Sequence, residues 1–377
     1  MDFLIENGCL YDSAAHTFEK RNIALIDGRI AQPIPGHTYR LTIDASGCLV
    51  TPGLIDYHVH CFQYGTENAV SPDATSFCCG VTTVVDGGSC GAGSYELFHR
   101  STISMSRVRI CSLLLAASGG QSNERYPENL DPSLFDEEKI LSLFRRFPGE
   151  LTGIKTRISR NILSPDLAKV SLARTVEMAE KAGTRVVVHV TDCSLPLDQV
   201  AALLRPGDVI CHVYHNRGHH TCLDAQGKVW DGLWAAKERG ILFDASNGRS
   251  NFSLSTCRTA IAQGFLPDII SSDQNASSAF LPPLHSLPRI LSKYLDFGLS
   301  LEQVLDAAIA KPAALVGMPE LASLEVGTPA DVAIFQLRQK PVSYQDVNGD
   351  RFDGTQVLVP MMTFKDGECM YCQADFV

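Results

Sequence analysis

Between residues 54 and 275 the chain repeats one pattern eight times, a short apolar segment followed by a helical or polar stretch. The segments are LIDYHVH (54–60), TTVVDGG (82–88), RICSLLLAAS (109–118), LTGIKTRIS (151–159), RVVVHVTD (185–192), DVICHVYH (208–215), GILFDASN (240–247) and DIISSDQN (268–275). Apolar strands separated by helices require parallel pairing, because a crossover of a dozen or more residues must return the chain to the same edge. Eight is the number that closes such a sheet on itself, so an α/β fold with a (β/α)8 barrel is expected. The stretch DLAKVSLARTVEMAEKAG fits one outer helix, with apolar residues at helical spacing and Gly183 as its stop signal. GGQSNERYPENLDPSLF (119–135) is too polar and proline-interrupted for a crossover helix and is read as a loop over the barrel mouth.

The ends have a different texture. IAL and RIA flank Asp27 and Gly28, and a second Asp-Gly pair, Asp366 and Gly367, lies in the strand-like segment QVLVPMMTFKDGECMY. Both are hairpin signals. Acidic residues outnumber basic ones, 42 Asp and Glu against 32 Lys and Arg, with no block of like charge, which argues against a nucleic-acid partner. No apolar run reaches the roughly 18 residues of a membrane span. Thirteen cysteines, an odd number in a long chain without a visible secretory leader, point to free thiols and a cytoplasmic location. Small-molecule chemistry is the expected role.

Candidate chemistry sits at the ends of the strands. His58 and His60 are two apart on one strand and share a face, so their imidazoles can hold one divalent ion. His189, His212 and Asp273 end three further strands, on the side where barrel active sites are built. Singly, each has an ordinary structural explanation as a core histidine or a helix cap. Lys155 lies inside a strand whose Ile154 and Ile158 face the other way, so it points into the barrel. An inward lysine needs neutralisation or a partner. It either pairs with a barrel carboxylate or reacts as a neutral amine with carbon dioxide, giving a carbamate that bridges two cations. Arg157 shares the face of Lys155, either in a salt bridge or gripping a substrate carboxylate or phosphate. His215, His219, His220 and Cys61 read as loop or lining residues. The glycine-rich DGGSCGAGS (86–94) matches no phosphate-binding pattern and reads as a flexible loop near the mouth.

PGLIDYHVH, the in-strand lysine, the two later strand-end histidines and SSDQN together resemble the amidohydrolase superfamily over essentially the whole chain. HVHCF, GVTTVVDGGSCGA, GIKTRIS, VVVHVTD, VICHVYHNRG and SSDQN are most similar to its deacetylase or dihydroorotase-like metallohydrolases. The resemblance implies a small β-sandwich built from both chain ends, residues 1–51 and 322–377, attached to a barrel over 52–321. It implies two divalent metal ions, for which zinc suits the donor set, with His58, His60 and Asp273 on one, His189 and His212 on the other, and N6-carboxylated Lys155 between them. A metal-bridging hydroxide would then attack the substrate carbonyl, with Asp273 as general base and acid.

The implied activity is hydrolysis of an amide or ester bond of a small, carboxylate-bearing acyl substrate by an enzyme of homo-oligomeric type. Cyclic amide hydrolysis is the alternative, although Cys61 and Phe62 stand where dihydroorotases carry leucine and arginine. A non-catalytic scaffold of the same fold is the other. Asn247 and Gly248 occupy a position where related sequences have histidine and glycine, and the amide is expected to orient substrate without shuttling a proton.

Overall fold

The computed structural model describes residues 2–123, 125–280 and 286–376. Seven parallel strands pair in sequence order: Leu54–Val59, Val81–Asp86, Arg109–Leu115, Leu151–Arg157, Arg185–His189, Val209–Cys211 and Leu242–Asp244. The eighth expected segment forms no regular strand, yet it closes the ring. Parallel bridges join Asp244 to Ile269 and Val59 to Gln274, so residues 269–274 lie between the seventh strand and the first. The irregularity has a local cause, because the Ser272 N–H is taken by the Asp56 carboxylate at 2.9 Å and Asp273 has φ +52°.

Inside the ring, Tyr57, Val85, Leu113, Val187, Val209 and Ile269 fill the floor beneath the mouth. Outward residues of the same strands, such as Ile154, Val186 and Val188, pack against the helices. The helix expected after the fourth strand spans Pro165–Lys181, capped by the Ser164 side chain, and buries Ala168, Leu172, Met178 and Ala179 against the barrel.

Both chain ends enter one six-stranded sheet, in the order Glu368–Cys372, Arg351–Lys365, Val332–Gln345, Leu49–Pro52, Cys9–Asp12 and Thr17–Lys20. A four-stranded sheet of Arg29–Ala31, Ile23–Ile26, Phe3–Glu6 and Leu41–Asp44 completes the sandwich. Phe3, Ile5, Leu25, Val332, Ile334 and Phe364 are among its core residues. Both Asp-Gly pairs have positive φ at each residue, 49° and 75° at Asp27 and Gly28, 49° and 76° at Asp366 and Gly367, as primed hairpin turns require. The turns abut across Ala330, whose N–H donates to the Gly28 carbonyl and whose carbonyl accepts from Gly367 N–H.

Sandwich and barrel are joined by a buried acid. Asp331 takes Arg109 of the third barrel strand at 2.7 Å, and its other oxygen takes Lys365 Nζ at 3.1 Å and the Asp366 N–H at 2.9 Å. Asp331→Ala leaves the buried Lys365 ammonium with only the exposed Asp366 carboxylate and is expected to destabilise the fold by about 3–5 kcal/mol. Urea unfolding of the two proteins measures this, and a loss below 1 kcal/mol would remove Asp331 from the joint.

Candidate active site

At the carboxyl ends of the strands the chain leaves regular geometry at its most polar residues. His212 follows the sixth strand with φ +65°, Ser246 follows the seventh with φ +34°, and Asp273 has φ +52°. Each left-handed backbone at a non-glycine residue costs roughly 1–3 kcal/mol and persists where surrounding contacts over-determine it. Here the turns direct side chains into a cavity of about 560 Å³ at the mouth. His58, His60, Lys155, His189, His212 and Asp273 all line it, together with Arg157.

Two donor groups form at this end of the barrel. His58, His60 and Asp273 bring one ligand atom each to within 4.8 Å of one another, and so do His58, Cys211 and His212. Asp273 Oδ1 lies 3.4 Å from His60 Nε2 and 3.7 Å from His58 Nε2. His189 stacks edgewise on His212, with ring centroids 4.5 Å apart. Cys211 was not among the residues that the sequence pattern singled out, because it reads as one apolar position of a buried strand.

The imidazoles are held by their outer nitrogens. His58 Nδ1 meets Ser246 Oγ at 3.2 Å, His60 Nδ1 meets Ser89 Oγ at 2.9 Å, and His212 Nδ1 meets the Ser246 carbonyl at 2.8 Å. Ser89 is fixed in turn by Asp86, which accepts from its N–H and its hydroxyl. Such outer contacts set ring orientation and leave Nε2 directed inward. Burial drives His58 and His189 well below the ordinary imidazole pKa and His212 down to about 3, so these rings are neutral donors near neutral pH. Burial pushes the Asp273 carboxyl up, but the His60 hydrogen bond and the three neighbouring imidazoles outweigh it and hold the group below the usual carboxylate range.

Lys155 is 1 % exposed, and its Nζ ends 3.4 Å from His58 Nε2 and 3.1 Å from Cys211 Sγ. Among the described residues it makes no ion pair, so the barrel carboxylate that would neutralise it as an ordinary structural lysine is missing. A buried lysine Nζ that meets only an imidazole and a thiol leaves its hydrogen-bonding capacity poorly matched. A donor set of neutral imidazoles, one carboxylate and an unpaired amine suits divalent cations far better than it suits itself.

DGGSCGAGS is not a flexible loop. Its residues 86–92 are buried, and a Cβ on Gly87 would stand 2.4 Å from the His58 ring while one on Gly88 would stand 2.6 Å from Lys155 Cβ. The glycines let His58 and Lys155 lie flat on the backbone of the second strand's end.

Gly248 lies beside the Asp273 carboxylate, where a Cβ would come within 2.0 Å of Oδ2, the oxygen that accepts from Asn251 Nδ2 at 2.8 Å. Gly248→Ala is therefore expected to displace Asp273, costing about 1–3 kcal/mol of stability. Its activity should fall with it, and melting and turnover of this one variant, wild-type in both, would contradict that placement. Asn247, expected to orient substrate, is fully buried and is not among the cavity-lining residues. Its amide is spent inside the barrel wall, accepting from Lys293 Nζ at 2.6 Å and donating to the Ser271 carbonyl at 3.1 Å.

Of the two roles open to Arg157, the structure shows the salt bridge, to Glu128 at 2.9 Å. Glu128 comes from the loop expected over the mouth, which supplies Gln121, Asn123 and Pro127 to the same wall; Glu124 lies outside the described residues. His215 is buried off the cavity, His219 and His220 do not line it, and Cys61 belongs to the core beside the Asp86 carboxylate, its thiol pushed up by burial. Arg217, Arg249 and Asn251 do line the cavity and were passed over in sequence because loop arginines and asparagines carry no periodic signal.

The Amidohydrolase family model matches residues 49–369. The chain belongs to the amidohydrolase family. A deacetylase of Agrobacterium fabrum is 31% identical over 335 residues, 86% of this chain and 80% of that protein. A deacetylase of Enterococcus faecalis is 25% identical, covering 97% of this amidohydrolase and 98% of the relative. Among solved structures, a dihydroorotase superposes with TM-score 0.86 at 27% identity, over 99% of this chain and 98% of its own. An adenine deaminase gives TM-score 0.90 at 25% identity, over 99% and 100%. Among the described residues of this amidohydrolase no helix is long and apolar enough to cross a membrane.

Proposed function

We propose that this amidohydrolase is a metal-dependent deacetylase-type hydrolase that cleaves an amide or ester bond of a small acyl substrate. The observation that carries the reading is Lys155, a buried amine that has no carboxylate partner among the described residues and lies against His58, the imidazole that also faces Asp273. As a carbamate it would become an anion, and with His58, His60, His189, His212 and Asp273 it would hold two divalent cations, zinc fitting the nitrogen-rich set. Bound there, the cations would supply Lewis-acid polarisation of the acyl carbonyl and a water of lowered pKa.

The chain's own residues do the rest. Asp273 would take a proton on the cavity side and return it to the leaving nitrogen or oxygen, the task of a general base and acid. Asn251 and Gly248 keep its second oxygen fixed. Ser89 and Ser246 keep the imidazoles turned inward, and the loop bearing Glu128 supplies part of the cavity wall. The similarity to proteins named deacetylase supports the reading of a linear acyl substrate. The dihydroorotase matches favour cyclic amides as the second reading, in which the same residues would open a ring.

A panel of N-acyl amino acids, O-acetyl hydroxy acids and cyclic ureides, assayed with metal-reconstituted protein alongside metal analysis, separates these. Turnover of the first two classes supports the proposal, turnover of the ureides alone supports the second reading, and bound metal with no turnover would leave a scaffold.

A further inference from the structure

The cavity holds more positive side chains than its ligand set uses. Lys155, Arg157, Arg217 and Arg249 line it against Glu67, Glu128 and Asp273. Lys155 and Asp273 belong to the ligand set, Arg157 is taken by Glu128, and Glu67 has an interaction of its own. Arg217 stands exposed at the rim.

Arg249 differs. It is half-buried, its Nε is shielded from solvent without any hydrogen-bond partner, and among the described residues its guanidinium makes no ion pair. Its backbone is fixed close to the reacting groups, because the residue before it, Gly248, lies against Asp273 Oδ2, and Asn251, two residues on, donates to that same oxygen. A half-buried guanidinium with a shielded, unused N–H is satisfied by an anionic acceptor that can take two of its donors at once, as a carboxylate does.

We propose that Arg249 binds the carboxylate of the substrate, and that this carboxylate sits on the carbon bearing the scissile nitrogen or oxygen. This rests on the acyl-hydrolase reading for its reaction but not for its binding site. Asp273 presents Oδ1 to His58 and His60 and Oδ2 to the loop that carries Arg249. A leaving group that receives the proton from Asp273 therefore lies on the side of the cavity walled by the loop that carries Arg249. The residue selects acids over neutral amides of the same shape, and Arg157 keeps its partner Glu128 throughout.

The test compares N-acetylalanine with its carboxamide on wild-type, Arg249→Met, Arg249→Lys and Arg157→Met proteins, each checked for metal content and melting temperature. Wild type is expected to favour the acid in kcat/KM by about tenfold or more, the worth of a charge-assisted contact. Arg249→Met should collapse that ratio towards one through KM, and Arg249→Lys should restore part of it.

A second arm uses calorimetry with N-methanesulfonylalanine, an anion with no hydrolysable acyl bond, against its carboxamide. It reports on Arg249 even if no acyl substrate turns over, in which case the reaction class fails and the anion site stands or falls separately. An unchanged acid preference in Arg249→Met in both arms overturns the proposal. So does a preference that collapses instead in Arg157→Met, or in an Arg217→Met control.

Discussion

Lys155→Met is expected to lower kcat/KM by about a thousandfold or more, on the order of 4 kcal/mol of transition-state stabilisation, and to strip divalent metal from the purified protein. The size follows from position. Lys155 Nζ lies against His58 and Cys211, and under the proposed reading its carbamate would help to hold the cations. A purely structural lysine predicts the opposite balance. Were Lys155 half of a buried ion pair, its removal would leave a carboxylate uncompensated and cost about 3–5 kcal/mol of stability. Because it makes no ion pair among the described residues, the metal-free Lys155→Met protein should melt no lower than the metal-free parent.

The combination of lost metal, lost rate and retained apoprotein stability is thus specific to the ligand role. Lys155→Ala adds a positive control, since a short carboxylic acid such as propionate can occupy the vacated space and should restore part of the rate. A Lys155→Met protein that keeps both metal and turnover would sink the assignment. So would a rate loss accompanied by full metal content and a collapse in apoprotein stability.

How far the sequence foretold this arrangement depends on what each residue answers to. The barrel was legible because burial on both faces forces apolar runs, and its eighth segment was found even though Asp56 and the left-handed Asp273 deny it a regular ladder. The Asp-Gly turns were legible because positive φ at consecutive residues leaves few alternatives. His58, His60, His189, His212 and Asp273 were legible because they interrupt apolar strands at one end. Strand ends were overextended at several of these positions, as the chain turns at the very residues it must aim inward.

The misses are of another kind. Asn247 is expected to orient substrate because related sequences have histidine at its position, but Lys293, 46 residues later, captures its amide. The glycines of DGGSCGAGS were read for mobility when their role is to clear space for His58 and Lys155, side chains from two other strands. Glu128 and Arg249 carry no local pattern at all. What decides each of these is a contact between segments distant in sequence, which periodicity does not encode.

Asp273→Asn separates holding a cation from moving a proton. The amide keeps an oxygen to face His58 and His60, and Asn251 can turn its own amide to meet the new group at the Oδ2 position, so the fold and metal content should survive. What disappears is the basic oxygen. With an N-acyl amino acid, whose leaving amine cannot depart unprotonated, kcat should fall by about a thousandfold, within the range of general acid and base catalysis. With an acetyl ester of an acidic phenol, whose leaving group needs no proton, the loss should be much smaller, because only base assistance is gone. An Asp273→Asn variant as active as the parent on the amide would end the proposed role, and an equal loss on both substrates would assign Asp273 to metal positioning instead of proton transfer.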